Sequence, residues 1–248
     1  MDNMSQFKCP NCTAPLRYDA GEQKLVCDNC GSSFPADGTL PGSRPVDEVE
    51  QFDWGSYKEE LSNEILENVA VGKVYLPDYE GESRKYDKLV KSLTEQHIDT
   101  ERLREDITYT ADGVTYQLYV SGVAYDPEKE NDNDMSLAIS VTYGGDSWFF
   151  AGDLEKKGIK EFLERHGEIR SDILKMPHHG QYVSNTDELL EQVRPKIAVI
   201  TDGAEKPAEE KLIELLEETQ VEYYRSMMNG TIVIKGNGEG EYKTVTDK

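Results

Sequence analysis

Apolar positions fall into two rhythms along this chain. In "DWGSYKEELSNEILENV" (53–69), Tyr57, Leu61, Ile65 and Leu66 recur at helical spacing, which predicts an amphipathic helix over 55–68. "GKVYLP" (72–77) reads as a short strand stopped by Pro77, and Tyr86, Leu89, Val90 and Leu93 predict a second helix over 83–97. Farther on, the rhythm becomes alternation. "VTYQLYVSGVAY" (114–125), "SLAISVTY" (136–143) and "SWFFAG" (147–152) are rich in β-formers, and "GGD" joins the last two as a hairpin. The remainder reads as helix 155–166, strand 172–176, helix 186–193, strand 196–200, helix 207–218, strand 221–225 and strand 230–235. Strands and helices in alternation predict a layered α/β sheet.

Residues 1–35 do not share either rhythm. They are turn-rich, and the polar Gly/Pro stretch 35–51 that follows reads as a linker. The expected organisation is a small module at 1–35, a linker at 36–54 and an α/β domain at 55–248. The module holds all four cysteines, as Cys9-x2-Cys12 and Cys27-x2-Cys30 with fourteen residues between the pairs. Each Cys-x2-Cys turn places two thiolates on one side of a knuckle, and two knuckles complete a tetrahedral cage. Four thiolates leave no open position, so the ion expected is a structural Zn(II), with iron of rubredoxin type the alternative. A metal also accounts for the folding of a segment whose core candidates are only Phe7, Leu16, Tyr18, Leu25 and Val26.

Composition narrows the function classes. The 248 residues carry 49 acids against 27 bases, a net charge of −22. That field repels phosphate backbones and argues against nucleic-acid binding except through a bound cation. No run approaches the length of a spanning helix and the first residues are polar, so a cytoplasmic protein without a membrane segment is expected. The acidic stretch 126–134 lacks the glycine and terminal glutamate of an EF-hand loop and reads as a solvated loop. "GNGEG" (236–240) follows the last predicted strand, precedes no helix and reads as a turn rather than a phosphate loop.

The chain has four histidines, and two of them are adjacent in "DILKMPHHGQYVS" (172–184). Asp153 leaves the apolar strand "WFFAG" as His178 and His179 leave "ILKMP", so adjoining strands would deliver all three to one sheet edge. A carboxylate with imidazole suits Zn(II) or Mn(II). His97 ends a charged helix and reads as a surface histidine, whereas His166 ends another helix and reads as complementing its C-terminus.

In their order, "NDNDMSLAISVTY", "SWFFAGDLE", "SDILKMPHHG" and "RPKIAVIT" resemble the later part of a metallo-β-lactamase-fold hydrolase domain, as found at the C-terminus of bacterial competence DNA-uptake channel proteins. The cysteine module resembles a zinc ribbon, which implies a contact with protein or nucleic acid; residues 1–45 carry four basic and five acidic side chains, so protein is the partner expected. The hydrolase resemblance spans about 64–235 and implies an αββα sandwich with Asp153 and one of His178 and His179 as metal ligands. It also implies a His-x-His-x-Asp-His motif earlier in the chain, yet no histidine precedes His97. Gln181, Lys206 and Ser226 depart from the family pattern as well. The expectation is therefore an incomplete sandwich with a degenerate dimetal site of phosphodiesterase-like ancestry, or else a non-catalytic binding or assembly module. The apolar sheet face left by the missing strands would be covered by the 55–68 helix, a second copy or a partner.

Metal analysis of the purified chain is expected to find one zinc per ribbon, lost on Cys9→Ser. Zinc retained at full stoichiometry in that variant would remove the four-thiolate assignment.

Overall fold

The computed structural model describes residues 17–19, 24–27, 29–35, 71–81, 84–129 and 131–248. The predicted helix at 55–68, Cys9 and Cys12 lie outside the described residues. The chain divides into two compact units, Met1–Asp53 and Trp54–Lys248. In the first, β1 (Arg17–Asp19), β2 (Lys24–Val26) and β3 (Ser33–Pro35) form an antiparallel meander with Tyr18 opposite Leu25 and Leu25 opposite Phe34.

The second unit opens with β4 (Lys73–Pro77), α1 (Arg84–Glu95) and β5 (Asp99–Leu103), a βαβ unit whose strands pair in parallel. Next come β6 (Ile107–Ala111), β7 (Val114–Tyr119), β8 (Ala138–Tyr143) and β9 (Asp146–Phe150), successive antiparallel neighbours. From β9 the chain alternates with helices: α2 (Lys156–His166), β10 (Ile173–Lys175), α3 (Thr186–Val193), β11 (Ile197–Ile200), α4 (Glu210–Glu218) and β12 (Glu222–Arg225). Together these strands make one seven-stranded sheet in the order β12-β11-β10-β9-β8-β7-β6, parallel from β9 to β12. After the short helix α5 (Ser226–Asn229), the hairpin β13 (Ile232–Gly236) and β14 (Tyr242–Thr246) closes the chain. The unit is mixed α/β, and its described strands form one large sheet and two small two-stranded ones.

Chirality decides where the core lies. Crossovers between neighbouring parallel strands are right-handed. Strands β9 to β12 follow one another in order, so α2, α3 and α4 all fall on the same face. Phe149, Leu174 and Ala198 pair across that face and are buried against Ile159 and Phe162 of α2, Leu189 and Val193 of α3, and Leu212 and Leu216 of α4. The next row, Trp148, Ile173 and Ile197, points the other way, where Trp148 meets Tyr242 of β14 edge to face.

Several expectations need correction. Strands β5 and β6 were unread because "DTERL" and "ITYTA" are mostly exposed and show no apolar alternation. The strand expected over 114–125 ends at Tyr119: the N–H of Val120 bonds Asp106 Oδ1 and Gly122 turns at φ +83°. "GNGEG" is a turn, but it joins β13 to β14 rather than following the last strand. His166 does end its helix, but it is also packed inward. Its side chain is 9% exposed, Nδ1 lies 3.5 Å from Asp106 Oδ2, and the ring packs on Tyr119 and Phe162. Within the acidic loop Asp134 is buried, where Oδ1 accepts the N–H groups of Glu155 (3.0 Å) and Gly158 (2.6 Å) at the start of α2.

The β13–β14 turn secures the edge at which the parallel strands begin. Asp146, 1% exposed, accepts the N–H groups of Gly238 (2.7 Å) and Gly240 (2.8 Å). The Tyr242 hydroxyl accepts from the N–H of Ser147 (2.8 Å) and donates to Asp172 Oδ2 (3.0 Å), while Lys196 Nζ lies 3.2 Å from Asp172 Oδ1. Burial, reinforced by Asp172, pushes the Tyr242 phenol up to about 12. A raised phenol favours the fold in its neutral form, so its contribution is complete below pH 10 and is lost as pH rises through about 12. Ultraviolet titration is expected to show a late tyrosine near pH 12 that Tyr242→Phe deletes, and stability should fall over that window in the parent chain only.

Candidate functional site at the strand ends

At the opposite edge, β9, β10 and β11 end side by side, with Phe150 opposite Lys175 and Lys175 opposite Val199. The segments leaving them carry Gly152 and Asp153, then His178 and His179, then Thr201 and Asp202. Gly152 turns at φ +61°, and a Cβ there would stand 2.7 Å from the Ser136 side chain, so no larger residue fits. The turn aims the Asp153 N–H at Ser136 Oγ (3.1 Å). His178 (φ 42°) and His179 (φ 55°) both occupy the left-handed region, followed by Gly180 at φ +84°. Such backbone costs about 1–3 kcal/mol per residue and collects at functional sites.

The strain gives the two imidazoles different surroundings. His179 Nδ1 is 2.8 Å from the Thr201 carbonyl, an acceptor, so Nδ1 carries the proton. Nε2 is then turned toward Asp153 Oδ2 at 3.6 Å, too long for a hydrogen bond. On the other side of the carboxylate, Lys175 Nζ lies 3.7 Å from Oδ1 and donates to the Gly152 carbonyl (3.3 Å). When His179 is protonated at Nε2 as well, its ring and then Lys175 hold the Asp153 carboxyl down at about 2, against the opposing effect of burial. His178 instead turns Nδ1 to within 3.2 Å of Glu155 Oε1, but the angle makes no hydrogen bond and Nδ1 is buried without one. That oxygen already accepts from Asn133 Nδ2 (2.9 Å).

Asp202 was not anticipated. Its buried carboxylate takes Arg225 Nε (2.9 Å), Arg225 Nη2 (2.6 Å) and the N–H of Ala208 (3.1 Å) on Oδ2, and the N–H of Met227 (3.1 Å) on Oδ1. This fixes the loop whose Thr201 carbonyl orients His179. The signal was available: Asp202 and Arg225 stand at the ends of consecutive predicted strands, and Ile200 and Arg225 are register partners.

One imidazole nitrogen and one carboxylate oxygen therefore face a common gap, with the carbonyl behind the ring fixing its tautomer as metal-bound histidines require. They fit two ligands of a single Zn(II) or Mn(II) ion. Among the described residues no third histidine, cysteine or acid joins them to hold an ion. His178 is delivered to the same edge but not to the same gap. In the first unit, Gly31 N–H bonds the Cys27 carbonyl (2.9 Å) and Cys27 N–H bonds the Ser32 carbonyl (2.8 Å), closing a tight turn at Gly31 (φ +72°). Cys27 is buried and Cys30 exposed on this turn, a knuckle that fits two ligands of a thiolate cage.

Residues 7–37 match the family described as Trm112p-like protein. The chain is 31% identical over 173 residues to ComE operon protein 3 of Bacillus subtilis (strain 168), covering 68% of this chain and 22% of that protein. It is also 34% identical to Recombination protein 2 of Haemophilus influenzae over 41% of this chain and 12% of that protein, and 33% identical to Competence protein ComA of Neisseria gonorrhoeae over 31% and 11%. One of these three relatives is named as a competence protein. The chain spans less than a quarter of the length of these relatives. A solved structure of a mutant CmlA beta-hydroxylase superposes with a TM-score of 0.42 at 12% identity, over 71% of this chain and 39% of that one.

Arg225→Met, which leaves Asp202 buried without its cation, is expected to lower the unfolding free energy by about 3–5 kcal/mol in urea titrations. Adding Asp202→Asn to that variant should recover part of the loss, because the stranded charge is gone.

Proposed function

We propose that this chain is a hydrolase-derived module of a competence-type machinery, with a structural zinc ribbon and a site that has lost its dimetal chemistry. The carrying observation is the state of Asp153. Its carboxylate already faces Lys175 on one side and His179 on the other. A centre of two ions needs several further donors, and the described part of the strand-end site supplies none. If an ion does bind, Asp153 and His179 would hold it, and it would polarise an ester oxygen and lower the pKa of a bound water. On this reading the α/β unit acts in the cytoplasm by contact with a partner protein or a second copy of itself. The likeness to competence proteins supports that setting, and the net charge of −22 argues against direct contact with a nucleic-acid backbone.

A second reading rests on the His179 tautomer. An Nδ1–H held by a carbonyl, with Nε2 presented to a carboxylate, is a geometry that suits a mononuclear hydrolase.

Metal counting together with bis(p-nitrophenyl) phosphate hydrolysis in manganese separates the two. The degenerate site is expected to give the same metal content and the same background rate before and after Asp153→Ala. Turnover abolished by both Asp153→Ala and His179→Ala, with ribbon zinc retained, would establish the mononuclear enzyme. Loss of two ions on Asp153→Ala would restore the dimetal one.

A further inference from the structure

Apart from the strand-end site, a cavity of about 550 Å³ opens between the ends of β4 and β5 and the irregular segment 120–125. Its size is that of a small-molecule site, typically about 300–1,000 Å³. Apolar side chains form the floor, with Leu103, Val123 and Met135 all buried. Tyr79 and Tyr125 form an aromatic wall, their ring centroids 4.7 Å apart and 31° from parallel. The wall is held from behind: the Arg102 guanidinium bonds the carbonyls of Pro77 and Tyr79 and the hydroxyl of Tyr86, and Tyr86 stacks on Tyr79.

The charge of the lining is opposite to that of the chain. Among the described lining residues two arginines, Arg104 and Arg165, face one acid, Asp78, a net of +1 within a protein of net −22. Asp78 engages Arg104 through Nε (2.9 Å), which leaves both terminal nitrogens of that guanidinium without another bond among the described residues. Arg165, exposed on the last turn of α2, forms no ion pair among the described residues. It runs beside Gly122, where an added Cβ would lie 3.8 Å from Nη1. Uncommitted guanidinium groups at a cavity mouth present forked donors that match phosphate oxygens. A free inorganic anion would use the rim and leave the floor and the tyrosines uncovered. A neutral aromatic would use the floor and waste the rim.

We propose that this cavity binds a phosphomonoester with an aromatic body, a nucleoside monophosphate being the biological form of that size. The phosphate meets Arg104 and Arg165, and the ring lies on Tyr79 and Tyr125 over the apolar floor. The inference stands on the cavity alone and holds whether or not Asp153 binds a metal.

Calorimetric titration of the full chain with AMP, adenosine and inorganic phosphate as separate probes tests it. AMP is expected to bind at least about tenfold more tightly than either fragment, a difference of ~1.4 kcal/mol. Arg165→Gln and Tyr125→Ala should each weaken AMP by roughly tenfold or more, with melting curves confirming that both remain folded, whereas Asp153→Ala should leave AMP binding as it was. AMP binding no tighter than phosphate, or unchanged in both cavity variants, would overturn the proposal. So would a preference for benzoate over phenyl phosphate, which would reassign the rim to carboxylates.

Discussion

Parallel strands that end in register impose a division of labour on this molecule. From β9 to β12 each strand starts and finishes beside its neighbour, so whatever follows the strands is gathered at one edge and whatever precedes them at the other. The right-handed crossovers then place α2, α3 and α4 on one face and bury Phe149, Leu174 and Ala198 beneath them. Disturbing that register would misplace Asp153, the histidine pair and Asp202 together, because none of them reaches the edge independently.

The two edges solve opposite problems. Where the strands begin, Asp146, Asp172 and Lys196 bond to the β13–β14 hairpin and its turn, Asp172 through the Tyr242 hydroxyl. Where they end, strain and incomplete pairing persist: two successive histidines with positive φ, a buried Nδ1 without a hydrogen bond, and a carboxylate between two bases. Asp202, by contrast, accepts four hydrogen bonds, and its role is to hold the loop behind His179.

The aromatic cavity belongs to neither edge clamp. It forms where the parallel β4–β5 pair meets a segment that leaves β7 early, and its chemistry is arginine and tyrosine rather than histidine and carboxylate. A strongly acidic chain that keeps two guanidinium groups at the rim of an apolar cavity separates a local recognition problem from its global charge.

The parallel half of the large sheet was legible because buried strands and amphipathic helices announce themselves by apolar runs and 3.6-residue spacing; "TDELLEQV" and "IAVI" needed no tertiary knowledge. The turn that carries Cys27 and Cys30 was legible from its Cys-x2-Cys spacing, which is equally local. So was the delivery of Asp153 and the histidine pair to one edge, since each follows an apolar strand directly. Edge strands such as β6, with one side in solvent, carry no such pattern, and β14 is recognisable only from the partner it pairs with. Which histidine faces Asp153, that Lys175 reaches the same carboxylate, that His166 is buried and that Asp202 pairs with Arg225 depend on backbone angles and on residues twenty or more positions apart. Local sequence determines periodicity and turn chemistry. Distances between side chains on different strands exist only once the sheet has closed its register.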